Sequence, residues 1–211
     1  MKKSIDISGE ILSRYSEILS DEALQFILDI HKHFDSKRLE LLNERKKRQK
    51  LIDDGDKLDF LDETKKIRDA NWKIKNIPND LLKRQVEITG PPVPKKMLIS
   101  ALNSGADCYM TDFEDSLTPT FDNLMQGQIN IRNAINNKID FIDEKSGKEY
   151  KLNEKTAVLI IRPRGLHLDD KNIIVEGKGY LELFLIWVFH YFIMQKNLLK
   201  TEVAPISTYP N

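Results

Sequence analysis

Residues 157–161 read Ala-Val-Leu-Ile-Ile and run without a break into Arg162-Pro163-Arg164-Gly165. The run is short, apolar and rich in β-branched residues, with no polar alternation, so it predicts a strand buried on both faces. Such a strand needs chain above and below it, which restricts the fold to layered or closed sheets. A second segment has the same grammar. Lys96 to Asn103 predicts a helix ended at Gly105, and Asp107-Cys108-Tyr109-Met110-Thr111-Asp112 predicts another buried strand that ends in charge. This helix-to-strand step makes the fold class α/β. In a parallel barrel the carboxyl ends of strands build the site, so Asp112-Phe113-Glu114-Asp115 and Arg162-Pro163-Arg164 should face each other across one mouth.

Upstream the pattern is helical. Leu24, Ile27, Leu28 and His31 follow the i, i+3, i+4, i+7 spacing behind a Ser20-Asp21 start. Two or three amphipathic helices are expected between Ile11 and about Arg68, broken at Asp53-Asp54-Gly55-Asp56, with a short helix near Asp62 to Arg68 and a loop at Ile77-Pro78-Asn79-Asp80. His31 and His33 lie two apart and share no helical face, with no carboxylate placed to join them, so they read as structural. Arg45-Lys46-Lys47-Arg48-Gln49-Lys50 looks at first like a nucleic-acid patch. It lacks aromatics for stacking, is surrounded by Glu44, Asp53 and Asp54, and continues a helix whose buried positions should be Leu39, Leu42 and Leu51. A solvated helix face is the expectation, with no nucleic acid as partner.

Composition closes other routes. The 33 Lys+Arg cancel the 33 Asp+Glu, so no global field draws the chain to DNA or an anionic membrane. Cys108 is the single cysteine, which excludes an internal disulfide framework and multi-cysteine zinc and fits a reducing compartment. The start, MKKSIDISGE, lacks the apolar stretch of a signal peptide, so an intracellular protein is expected.

Three carboxylates within Asp112-Phe113-Glu114-Asp115 need a cation or basic groups to balance them, and two arginines flanking Pro163 suit a developing oxyanion. The pairing suggests enolate chemistry: arginine stabilises the charge on a carbonyl or thioester oxygen while a base takes the α-proton and a divalent metal holds an α-keto acid. An ordinary salt-bridge cluster closing the rim of a sheet fits the same pattern.

Several ordered motifs carry a resemblance. Ile67-Arg68-Asp69-Ala70-Asn71-Trp72-Lys73-Ile74, Val86-Glu87-Ile88-Thr89-Gly90-Pro91, Lys96-Met97 with Ala101-Leu102-Asn103-Ser104-Gly105-Ala106, Asp112-Phe113-Glu114-Asp115-Ser116, Gly127-Gln128-Ile129-Asn130 and Arg162-Pro163-Arg164-Gly165-Leu166-His167-Leu168 together resemble the malate synthase family, in its shorter A-type form. The likeness runs from about residue 20 to about Glu176. It implies a magnesium-dependent condensation of acetyl-CoA with glyoxylate and thioester hydrolysis to malate and CoA. It also implies a helical amino-terminal clasp followed by a TIM (β/α)8 barrel. By that likeness Arg162 is the catalytic arginine, Asp112 and Glu114 line the metal and glyoxylate pocket, and Ser116 touches acetyl-CoA. Arg164 and His167 are expected to be supporting, and Cys108 a small buried residue.

The chain departs from the family in two ways. A TIM barrel takes about 250 residues, so a chain of 211 with a clasp at its head holds only the first part, incomplete. The expected division is a clasp over 1–87, a partial barrel over 88–176 and a tail over 177–211. The family's magnesium ligands and its proton-abstracting aspartate are expected further along, so no metal ligand is assigned in this chain. In the tail, Leu183 to Met194 is almost wholly apolar, too short to span a bilayer and without clean periodicity. Back-translated in a shifted frame, Phe192 to Asn197 permits HNAKK and Thr201 to Asn211 permits GGGPYFYLPK, phrases the family has in this order. An out-of-frame tail, from a real frameshift or a sequencing error, is therefore expected after about Glu176 to Gly179, leaving a truncated, inactive and poorly soluble chain. The alternatives are a CoA-ester lyase of the citrate-lyase β type and a non-catalytic helical interaction protein. The compartment is expected to be cytoplasmic or peroxisomal/glyoxysomal, with no membrane partner and an open oligomeric state.

Overall fold

The computed structural model describes residues 5–74, 76–175, 177–181 and 206–207. In chain order they form β1 (Ile5–Ile7), a 3-10 turn (Ser13–Glu17), α1 (Asp21–Asp53), a 3-10 turn (Asp62–Thr64) leading into α2 (Lys65–Arg68), and a 3-10 turn (Asn79–Leu81). There follow β2 (Glu87–Gly90), α3 (Lys95–Leu102), β3 (Cys108–Asp112), α4 (Phe121–Ile135), the hairpin strands β4 (Asp140–Ile142) and β5 (Glu149–Lys151), β6 (Val158–Arg162), β7 (Asp169–Val175), β8 (Lys178–Leu181) and β9 (Ile206–Ser207).

The amino-terminal region differs from expectation in being dominated by one helix. Ser20 caps α1 by accepting the Ala23 N–H at 3.2 Å, and Asp21 and Glu22 favour the positive end of its dipole. With no Gly or Pro between residues 21 and 53, nothing divides the helix until Gly55, whose φ of +101° suits a residue without Cβ. Burial does not extend past Arg38 and falls at Ala23, Ile27, Leu28, His31 and Arg38. Leu39 and Leu51, expected inside, are 47% and 51% exposed, and Leu42 is half-buried. The physical reason is that no described residue of α1 beyond Arg38 is buried, so periodicity there has no core to face. The short helix before Arg68 and the break after Asp53 are where the sequence puts them.

Four parallel strands form the main sheet in the order β2-β3-β6-β9. Cys108 pairs with Val158, Thr111 with Ile161 and Asp112 with Arg162, so the two charged strand ends finish level. One face carries Cys108, Met110, Val158 and Ile160 beneath Leu81; on the opposite face Tyr109 and Leu159 pack with Leu98, Ile99 and Leu102 of α3. The sheet is mixed into an α/β fold, and no barrel closes among the described residues, where β2 and β9 are edges. A second sheet, β1-β7-β8, is antiparallel, with Ile5 on Val175 and Ile7 on Ile173. Neither β1 nor the β4–β5 hairpin was foreseen. The largest core joins Tyr15, Ile18 and Ile27 from the head to Phe113, Leu117, Phe121, Leu124, Met125 and Ile129, with Ile161, Ile173 and Val175. Leu183 to Met194 lies outside the described residues.

No described helix is long and apolar enough to cross a membrane.

Candidate active site

The pairing of β3 with β6 puts Arg162 beside Asp112, and the turn after β3 brings two further carboxylates onto the same guanidinium. Arg162 Nη1 lies 3.2 Å from Asp112 Oδ2 and 2.5 Å from Asp115 Oδ2, while Nη2 lies 2.8 Å from Glu114 Oε2. The hydrogen bond to Asp115 and the charges of all three acids push the Arg162 pKa above its already high ordinary value, against the smaller opposing effect of burial. Arg162 is therefore a permanent cation, suited to holding a negative oxygen and unsuited to proton transfer.

The three acids are held very differently. Asp112 is 1% exposed and folds the turn around itself: Oδ1 accepts the N–H of Glu114 at 2.8 Å and of Asp115 at 3.2 Å, and Oδ2 accepts that of Ser116 at 3.2 Å. The exposed Ser116 donates its hydroxyl back to the Asp112 carbonyl at 3.2 Å. Glu114 accepts the Gly165 N–H at 3.2 Å, which ties the two strand-end loops together. A Cβ on Gly165 would stand 2.6 Å from the His167 ring and 2.8 Å from Glu114 Oε1, so any side chain there would push the exposed His167 ring or the Glu114 carboxylate aside. Asp115 reaches out to Arg162 from a side chain 71% exposed.

Backbone bonds continue the register into the loops. Phe113 N–H donates to the Arg162 carbonyl at 3.0 Å, and the buried Arg164 donates to the Phe113 carbonyl at 3.4 Å. Arg164 thus supports the arch rather than facing the mouth, and His167 is exposed above Gly165. Behind Phe113, α4 comes so close that a Cβ on Gly127 would lie 2.8 Å from both Phe113 Cε1 and Pro92 Cγ. This gives the glycine of Gly127-Gln128-Ile129-Asn130 a packing reason. Asn130 of the same turn donates to the Pro92 carbonyl at 2.9 Å.

Sequence reasoning missed Arg38. Its buried guanidinium bonds Asp35 at 2.9 Å, the Leu166 carbonyl at 3.2 Å and Asp169 at 3.0 Å, holding the arginine loop to α1. A local signal existed in the Asp35–Arg38 spacing of three, but nothing local points to residues 166 and 169. His31, for which no carboxylate partner was expected, lies 3.9 Å from Asp35 in the same cluster. Cys108 is fully buried, and burial pushes its thiol pKa up, as fits an inert core residue. Burial likewise pushes Tyr109 up to about 12, its hydroxyl donating to the Pro91 carbonyl at 3.0 Å.

These residues do not fit magnesium, which asks for several oxygens around one point in near-octahedral geometry. Asp112 is committed to three backbone N–H groups and Arg162, Glu114 to Gly165 and Arg162, and Asp115 to Arg162. Among the described residues no group of three His, Cys, Asp or Glu could hold a metal ion.

Comparison with known proteins agrees with the motif reading. Residues 3–66 match the family model "Malate synthase, N-terminal domain". Malate synthase of Myxococcus xanthus is 47% identical over 179 residues, covering 83% of this chain and 33% of the relative. Malate synthase A of Escherichia coli is 46% identical over 177 residues, 82% of this chain and 33% of the relative. The glyoxysomal malate synthase of Zea mays is 38% identical over 191 residues, 89% of this chain and 34% of the relative. The chain spans about a third of the length of these curated relatives. Over that span the chain is similar to malate synthases, and the part of them it resembles includes the amino-terminal domain.

Proposed function

We propose that this chain is the amino-terminal part of a malate synthase, the acyltransferase that condenses acetyl-CoA with glyoxylate and water to give malate and CoA. The observation that carries the reading is the level finish of β3 and β6, which places the permanent cation of Arg162 at the mouth of a parallel sheet. There it would take the charge of the glyoxylate carboxylate and of the thioester oxygen as the enolate forms. Glu114 fixes the Arg162 loop through Gly165, Asp112 shapes the floor of the pocket from beneath, and Ser116 stands at the exposed rim where acetyl-CoA would pass. We assign no magnesium ligand and no methyl-deprotonating base to this chain. The parallel strands β2, β3 and β6 are read as the first part of a TIM barrel, with residues 1–87 as clasp, 88–176 as partial barrel and 177–211, which include β9, as an out-of-frame tail. The relatives named above give no support to a citrate-lyase β type lyase or a helical interaction protein. A glyoxysomal place would match the name of the Zea mays relative, and a cytoplasmic one is the alternative.

Without metal and base the 211-residue chain should release no CoA from acetyl-CoA in the presence of glyoxylate. A measurable condensation rate from a soluble, monomeric preparation would contradict this. Resequencing genomic DNA and transcript from the codon for Val175 past that for Asn211 tests the tail. One base restored, with the frame running on into GPYFYLPK, makes the tail a misreading; the same shift in both makes it the product of a disabled gene. A downstream sequence without those phrases in any frame would overturn the shifted-frame reading.

A further inference from the structure

We propose that Asp115 stands in for the substrate carboxylate at Arg162 and is displaced when an anion binds, so that it sets the affinity of the site. This rests on the reading of Arg162 as the glyoxylate-holding arginine. The three acids around the guanidinium are not equivalent. Asp112 is buried and its carboxylate is held from behind by the N–H groups of Glu114, Asp115 and Ser116. The Glu114 side chain is 10% exposed and is held by the Gly165 N–H. The Asp115 side chain is 71% exposed, and among the described residues its carboxylate is recorded only against Arg162.

Arg162 Nη1 is shared between the fixed Asp112 at 3.2 Å and the exposed Asp115 at 2.5 Å. The solvent side of the guanidinium is thus capped by a carboxylate on a short side chain that is itself mostly exposed. A small α-keto acid arriving from solvent presents the same chemical group to the same nitrogen. It can bind only in the fraction of molecules in which Asp115 has turned away, and apparent affinity falls by that fraction. Neither Asp112 nor Glu114 can yield in this way without undoing the turn or the contact between the two loops.

The test is a titration of the full 211-residue chain with glyoxylate at constant ionic strength, followed by the side-chain N–H resonances of Arg162 in 15N-labelled protein. Parent, Asp115→Asn, Asp115→Ser and Arg162→Gln are compared, with circular dichroism to check that each is folded. If Asp115 caps the arginine in about 80–90% of molecules, both Asp115 variants bind glyoxylate about five- to tenfold more tightly. Binding disappears in Arg162→Gln. Arg162-dependent binding that is unchanged or weaker in both Asp115 variants would overturn the displacement proposal and leave the reading of Arg162 intact. Binding that survives in Arg162→Gln, or is absent from all four proteins, would overturn both.

Discussion

Gly127→Ala sets two effects of opposite sign against each other at the point where α4 backs the site. In a helix interior alanine is favoured over glycine by about 1 kcal/mol. Against this, the new Cβ would lie 2.8 Å from Phe113 Cε1 and Pro92 Cγ and 3.2 Å from Phe113 Cζ. Neither neighbour can yield cheaply: Phe113 is fully buried and Pro92 is a ring whose carbonyl is held by Asn130. Overpacking of this kind costs about 1–3 kcal/mol, so a net loss of up to about 2 kcal/mol is expected. Urea unfolding followed by circular dichroism reads it as a lower midpoint at unchanged slope. In a Phe113→Leu background the contact with the ring is relieved while that with Pro92 stays, so the loss caused by Gly127→Ala should shrink, a coupling that a double-mutant cycle detects. A Gly127→Ala protein more stable than its parent, or a loss of equal size in both backgrounds, would refute the close-approach reasoning.

Asp112→Ala removes the acceptor of three backbone N–H groups and one partner of Arg162, and should cost about 3–5 kcal/mol in thermal or urea unfolding. Arg38→Met leaves Asp35 and the Leu166 carbonyl without their donor, for about 2–3 kcal/mol. The pair with the 57% exposed Asp169 adds little. In that variant amide exchange at Leu168, which donates to the Gly165 carbonyl at 3.1 Å, should accelerate more than exchange in β3. On acidification, Asp143 is held down to about 2, first by its hydrogen bond from Lys96, and Asp107 is lowered by the N–H groups of Val86 and Gln85. The native state therefore binds fewer protons than the unfolded one, so this stability is present above the ordinary value of 3.8 and is lost as pH falls toward 2. Asp143→Asn should flatten that acid limb. Asp170 has the opposite sign: burial raises its pKa, so its contribution is full below the ordinary value and lost as pH rises through the folded one, a loss that Asp170→Asn removes.

The parts of the fold legible in the sequence are those with local causes. Ala157 to Ile161 has no other way to bury its apolar run, and Gly105, at φ +85°, ends the helix before β3. The opposition of Asp112 and Arg162 followed from two strands ending in charge, given parallel pairing. What escaped was set by distance along the chain. Arg38 meets Leu166 across 128 residues, and β1 is three residues long and exists through its pairing with β7. The burial of Leu39 and Leu51 was inferred from periodicity, which gives a face but not whether anything packs on it. The inward turn of the Asp112 carboxylate, toward three backbone N–H groups, was likewise invisible, since an aspartate that builds a turn and one that lines a pocket look alike in sequence.

Arg162 is proposed as the condensing arginine of a malate synthase site. Its most direct test is CoA release from acetyl-CoA on the protein read on past Gly179 in the frame that gives GPYFYLPK, with Arg162 and with Arg162→Gln. Release that requires glyoxylate is expected in the first protein, with a fall of about 100-fold or more in the second. An Arg162→Gln protein that keeps the parent rate would contradict it.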